Sequence, residues 1–149
     1  VPPGRALGLD LGDVRIGMAI SDPDRRVAVP LGTIHVGQPP GELRAIASVV
    51  REQGCTIVIV GHPRSMDGSV GPRARLAEEF AEALRSVLAV PVVMHDERLT
   101  TVQAERGLRE AGVRGRDRRA VVDAAAAQVL LQAWIEASPP TAGGSGPVS

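Results

Sequence analysis

The chain has 149 residues, a formal net charge of zero, and two aromatic residues, Phe80 and Trp134. That length suits one domain with a core of its own. The balanced charge excludes a general pull toward polyanions or anionic membranes, and the shortage of rings excludes single-strand binding on stacked aromatic platforms.

Residues 5–11 (RALGLDL) and 15–21 (RIGMAIS) have strand character, joined at Gly12 and Asp13, a good hairpin pair. Residues 26–34 suit a third antiparallel strand. After the loop GQPPGE, Leu43, Ile46, Ala47 and Val50 recur at helical spacing, which predicts a helix ending near Gly54. The apolar run TIVIVG, residues 56–61, suits a central strand covered on both faces. A Gly/Pro-rich loop follows, and Pro72 suits the first turn of the next helix. Leu76, Phe80, Leu84 and Val87 are that helix's expected core stripe. Residues 90–95 predict another strand, and Thr100 with Gln103 form a capping-box pair for a helix ending at Gly112. Residues 119–136 predict a last helix, apolar nearly all round and so deeply buried. The order β β β α β α β α α predicts an α/β domain over residues 1–137, with a mixed sheet flanked by helices. Residues 138–149, rich in Pro, Gly and Ser, are an expected disordered tail.

All 17 basic residues are Arg, whose planar fork binds phosphate bidentately. Codon bias in a GC-rich genome is the plain alternative cause. Arg114, Arg116, Arg118 and Arg119 cluster near the last helix, where they suit backbone phosphates or a solvated interhelical loop. The single cysteine, Cys55, excludes an internal disulfide and a zinc site of the usual Cys-based kind. It fits a reducing, cytoplasmic compartment. No apolar run is long enough to cross a bilayer, so no membrane partner is expected.

Three acidic positions stand out. Asp10 lies inside the first strand between Leu9 and Leu11, where an unpaired charge would cost several kcal/mol, about what burial of an unpaired ion costs. Asp96 and Glu97 directly follow the strand VPVVM, at the sheet end where α/β proteins bind ligands. Asp123 is the only charge in AVVDAAAAQVLLQAWI and falls in the first turns of the expected helix. Asp10, Glu97 and Asp123 brought together would repel unless a cation sat among them. Hard oxygen donors suit Mg²⁺ or Mn²⁺. Two such ions stabilise the attacking and leaving oxygens of phosphodiester cleavage. The plain alternatives are a structural salt bridge from Asp10 to Arg15 or Arg98, a helix-dipole role for Asp123, and solvated loop charges at Asp96 and Glu97.

The opening stretch GLDLGDVRIGMAISD resembles the first motif of the YqgF/RuvX family. Three further blocks match in order: GHPRSMDGSVGPRA (61–74), DERLTTVQAE (96–105) and VDAAAAQVLLQAWI (122–135). Together they cover nearly the whole chain apart from the tail. His62, Arg64 and Ser65 depart from the family's usual residues in the second block. The resemblance implies a ribonuclease H-like fold, with Asp10, Glu97 and Asp123 as catalytic acids and metal ligands. It implies a metal-dependent endonuclease that trims pre-16S ribosomal RNA or, alternatively, resolves Holliday junctions as a homodimer.

On that reading structured nucleic acid is the partner, held at phosphates by Arg15, Arg64, Arg73, Arg98, Arg116, Arg118 and Arg119. Gly61, Gly68 and Gly71 would let backbone N–H groups approach an anion at the next helix N-terminus. His62 suits either a proton shuttle or an ordinary exposed histidine, and His95 suits packing at the strand end. Two other classes stay open. DLGDVRIGMA also resembles the first phosphate loop of actin-like ATP-binding proteins, and a catalytically dead nucleic-acid-binding module would share this fold.

Overall fold

Strand β1 (Arg5–Leu11) turns into β2 (Arg15–Ser21) through a connection closed by the Gly12 N–H donating to the Arg15 carbonyl at 2.9 Å. A side chain at Gly12 would come within 2.7 Å of that same oxygen, so the turn needs glycine. The protein is described by a computed structural model over residues 2–37, 41–99 and 115–138, in backbone only for 99 and 115–122. The helix expected over 100–112 and the tail beyond Ser138 lie outside the described residues.

Strand β3 (Ala28–His35) adds antiparallel to β2, and the chain then crosses through helix α1 (Gly41–Gln53) to β4 (Cys55–His62). Strand β4 lies parallel to β1. Helix α2 (Pro72–Val87) leads to β5 (Val92–Asp96), parallel to β4. A single 3-10 turn (Glu97–Leu99) follows, and helix α3 (Gly115–Ala137) is the last described element. The sheet order is β3-β2-β1-β4-β5. This is the mixed sheet the sequence predicts, with β1 and β4 at its centre.

Alternation along the strands divides the core into two layers. Leu7, Leu9, Val58 and Val60 face α1 and α2, where Ile46, Val50, Ala77, Ala81 and Leu84 meet them. Ala6, Ala19 and Ile59 face α3 and pack on Ala127 and Leu131. Strand β4 is covered on both sides, as its unbroken apolar run requires.

Details of β5 and of the last two described helices differ from expectation. Strand β5 begins at Val92 rather than residue 90; Pro91 has no N–H for a ladder, and its carbonyl instead accepts from Val58 N–H at 2.9 Å. Helix α2 starts at Pro72 as expected but is rotated about its axis. Ala74, Ala77, Ala81 and Leu84 are buried, whereas Leu76 is 62% exposed and Val87 51% exposed. Small side chains let the helix sit close to the sheet, and this close contact displaces the larger residues outward. Helix α3 begins four residues before the expected start at 119, taking Arg116 and Arg118 into helical backbone rather than a loop.

Polar side chains fasten α3 over the edge strand. The Gln132 amide oxygen accepts from Ala28 N–H at 2.8 Å, and the Gln128 amide donates to the Ala28 carbonyl at 3.1 Å. Cys55 is buried, and burial pushes its thiol pKa up. A disulfide between two copies through this residue would need the β4 start to open.

Candidate active site

Glycines make room around the buried acids. Along β1, Ala6 packs on α3, and a Cβ at Gly8 would stand 2.9 Å from the Leu131 Cβ. Alternation therefore aims Asp10 at the same face. Its cross-strand partner on β2 is Gly17, where a Cβ would run into the main-chain carbonyl of Asp123. On the other side of β1, Leu9 pairs with Val60, so Gly61 flanks Asp10 on β4. A Cβ at Gly61 would run into the Glu97 carboxylate and come within 3.1 Å of Leu130. Two missing side chains thus let the Asp123 backbone close over β2 at Gly17 and the Glu97 carboxylate close over β4 at Gly61, the two positions that flank Asp10. Asp10 is only 2% exposed and Glu97 8%.

The arginines divide these acids in a way the sequence does not reveal. Arg15 Nε pairs with Asp123 Oδ2 at 3.2 Å, and Arg98 pairs with Asp96 at 2.7 Å. The sequence offered both arginines as partners for Asp10; each also has another acid at ion-pair distance. Asp123 lies eight residues into α3, past the first turn in which the helix dipole acts, so Arg15 supplies the interaction that the dipole does not.

Hydrogen bonds from Arg98 hold the Asp96 carboxyl down at about 2, from an ordinary value of 3.8. Stability from this depressed group is complete above about pH 4 and is lost as pH falls through about 2. Asp96→Asn is therefore expected to lower the melting temperature at pH 7 and to converge with the wild type as the pH approaches 2. A constant gap across that range in thermal melts would contradict the pairing.

Burial pushes the Glu97 carboxyl up, and nearby Arg73 and His62 partly oppose it. His62 is not an ordinary exposed histidine. Its Nε2 lies 2.8 Å from Glu78 Oε2, with the ring only 13% exposed. His95 packs at the strand end as expected, 7% exposed, with an Nε2 that has no hydrogen-bond partner among the described residues. Burial lowers its pKa, against the charge of Asp96.

The loop before α2 is built differently from an open anion cradle. Ser65 N–H donates to the Ser69 carbonyl, Gly68 N–H to the Ser65 carbonyl, and Ser69 N–H to Asp67. Arg64 closes on the Gly68 carbonyl at 2.6 Å, and Arg98 reaches the Met66 carbonyl at 3.4 Å. Both arginines have structural partners here, and Gly61 serves Glu97 rather than an anion. Gly71 caps α2 in extended backbone without a side-chain bond. Arg73 lines a pocket beside Glu97. Arg116, Arg118 and Arg119 lie in the first turns of α3, and their side chains fall outside the described residues.

The donor set fits a hard divalent cation. Asp10 and Glu97 are buried oxygen donors, and the burial that disfavours charge on Glu97 is what a nearby cation would offset. Among the described residues no three His, Cys, Asp or Glu side chains close into a cage, and Asp123 is turned to Arg15.

Residues 4–137 match the family described as RuvX, Holliday junction resolvase. The chain belongs to the RuvX family. A protein of Mycobacterium ulcerans named "Putative pre-16S rRNA nuclease" is 48% identical over 142 residues, covering 95% of this chain and 84% of that one. A Mycobacterium tuberculosis H37Rv protein of the same name is 48% identical over 134 residues, covering 89% and 79%. Among solved structures, Thermus thermophilus RuvC in complex with a Holliday junction substrate superposes with a TM-score of 0.54 at 17% identity, covering 89% of this chain and 94% of that one. The yeast mitochondrial Holliday junction resolvase gives 0.50 at 12% identity, covering 90% and 78%. The fold of this RuvX member is thus ribonuclease H-like.

Sequence reasoning missed two residues at this site. Gly17 carries no chemistry, so only its place opposite Asp10 reveals it. Glu42, in the first turn of α1, lines the pocket that Glu97 borders; a carboxylate beside an apolar stripe was the available signal.

Proposed function

We propose that this chain is a divalent-metal-dependent endonuclease acting on structured nucleic acid, most directly the 5′ end of pre-16S ribosomal RNA. The observation that carries it is the pair of buried carboxylates, Asp10 and Glu97, gathered around Gly61 at the carboxyl end of the central strands. The pre-16S name of relatives 48% identical over most of the chain supports the RNA substrate.

Asp10 and Glu97 would hold the cation, Mg²⁺ or Mn²⁺, with Asp123, now paired to Arg15, as the third ligand. Such an ion supplies neutralisation of the charge that builds on phosphoryl oxygens. The chain's own part is positioning. Arg73 faces the cleft beside Glu97 and would hold a substrate phosphate there. Arg116, Arg118 and Arg119 would extend that grip along the backbone without reading sequence. Arg15, Arg64 and Arg98 would serve first by fixing Asp123, the 62–71 loop and Asp96. No helix among the described residues is long and apolar enough to cross a membrane; a cytoplasmic location goes with the proposed ribosomal RNA substrate.

Holliday-junction resolution is the second reading, favoured by the family description and by the likeness to RuvC. It requires a homodimer, because opposed strands need two sites. Cleavage assays with Mg²⁺ and Mn²⁺ decide between them, with a labelled pre-16S 5′ end and a four-way DNA junction in parallel. Cutting of the RNA end, abolished by EDTA, is expected. Cutting of the junction alone would transfer the function to resolution, and cutting of neither by the folded protein would sink both.

A further inference from the structure

We propose that the pocket between the β1–β2 turn, the end of β3 and the first turns of α1 and α2 is a nucleobase subsite that seats one unstacked guanine beside Glu97. It deepens the nuclease reading above and rests on that reading for its link to cleavage. The pocket has a volume of about 190 Å³, small for a whole ligand and suited to one flat base. Its apolar walls include Leu11, Val36, Leu76 and Phe80, and its polar lining includes Glu42, Arg73 and Glu97.

The walls are unusual for surface residues. Leu76 is 62% exposed although it stands on an amphipathic helix, and Val36 is 39% exposed. The rotation of α2 that buries its alanines turns Leu76 and Phe80 to this pocket. Phe80 is one of two aromatic rings in the chain, and an unstacked base needs such a face.

Glu42 supplies the reader. Its Oε1 is shut off from solvent and has no hydrogen-bond partner among the described residues. A buried oxygen in that state carries a desolvation cost, and a turn of the Glu42 side chain toward a donor in the pocket would remove it. An ionised carboxylate only accepts hydrogen bonds, so it selects a ligand edge made of donors. Guanine presents N1–H and the N2 amine side by side. Adenine and cytosine each set one donor beside an acceptor, and uracil flanks its single N–H with two carbonyls. Only guanine offers two adjacent donors to one carboxylate. Arg73, at the same pocket, is placed to take that nucleotide's phosphate, which then lies by Glu97.

Fluorescence anisotropy with labelled single-stranded RNA heptamers tests this in EDTA, where no cleavage interferes. The heptamers carry one central guanine, inosine or adenine. Inosine keeps N1–H and lacks the amine. Wild-type protein is expected to bind the guanine strand about tenfold more tightly than the inosine strand, the effect of one hydrogen bond to a charged group. Glu42→Gln should erase that preference while retaining affinity for the adenine strand. Phe80→Leu should weaken guanine binding with the fold intact by circular dichroism. Equal affinity of the wild type for all three strands overturns the proposal, as does a folded Glu42→Gln that keeps the guanine preference. The guanine-over-inosine ratio of the wild type stands as a test even if a variant fails to fold. Guanine preference without cleavage in Mg²⁺ or Mn²⁺ would sink the nuclease reading and leave the subsite standing. Cleavage without preference would do the reverse.

Discussion

Asp10→Asn is expected to reduce metal-dependent cleavage by at least about a hundredfold, comparable to loss of one transition-state electrostatic contact. That corresponds to about 2.7 kcal/mol of barrier. The two side chains have nearly the same shape, so the pocket between Gly17 and Gly61 accepts the amide without repacking. What changes is the charge, at a position 2% exposed where the low surrounding polarity makes charge count most. Nucleic-acid binding should persist, because Arg73 and the α3 arginines remain. A second readout is independent of cleavage. Mn²⁺ at a hundred times its dissociation constant should stabilise the wild type by about 2.7 kcal/mol and raise its melting temperature, whereas Asp10→Asn should show little rise. Full cleavage by the folded variant would remove Asp10 from the chemistry. An unchanged wild-type melt in Mn²⁺ would remove the cation site.

The parts of this architecture that rest on local pattern are legible in the sequence. The β1–β2 hairpin, the doubly covered β4 and the Pro72 start of α2 each follow from residues near one another in the chain. The rotation of α2 is not legible, because periodicity weighs Leu76 and Val87 above alanine. The structure instead uses the small size of Ala74, Ala77 and Ala81 to bring the helix close. The partner of each charge is not legible either. Arg15 and Asp123 are 108 positions apart, and only the folding of α3 over β2 makes them a pair. Between the neighbours Asp96 and Glu97, spacing alone gives no choice. The family resemblance selects Glu97, and the structure separates their environments: Arg98 holds Asp96, while Glu97 turns over Gly61.

Gly17→Ala is expected to be among the most damaging single-methyl additions in the chain, costing about 3 kcal/mol or more, at the upper end of overpacking. Alanine normally gains over glycine in a strand by about 0.5–1 kcal/mol through the unfolded chain, so the sign must come from the folded site. Here the new carbon would meet the carbonyl of Asp123, which is helix backbone rather than the tip of a flexible side chain. That backbone is also pinned. Ala124, Ala125, Ala126 and Ala127 are all buried, and Gln128 and Gln132 fasten the same helix to Ala28 and Arg26. To admit the methyl group, α3 must lift from β2 and take Asp123 away from Arg15 and from the Asp10 side of the sheet. Stability and cleavage should therefore fall together. Gly37→Ala is the matched control, because nothing among the described residues lies within 4 Å of a Cβ there, and it should stay near the wild type. Urea unfolding of both variants compares the two costs at equal chemistry. A Gly17→Ala protein as stable as Gly37→Ala would mean that α3 can ride higher on the sheet, and the close approach of helix and strand would then not be what holds Asp123 at Arg15.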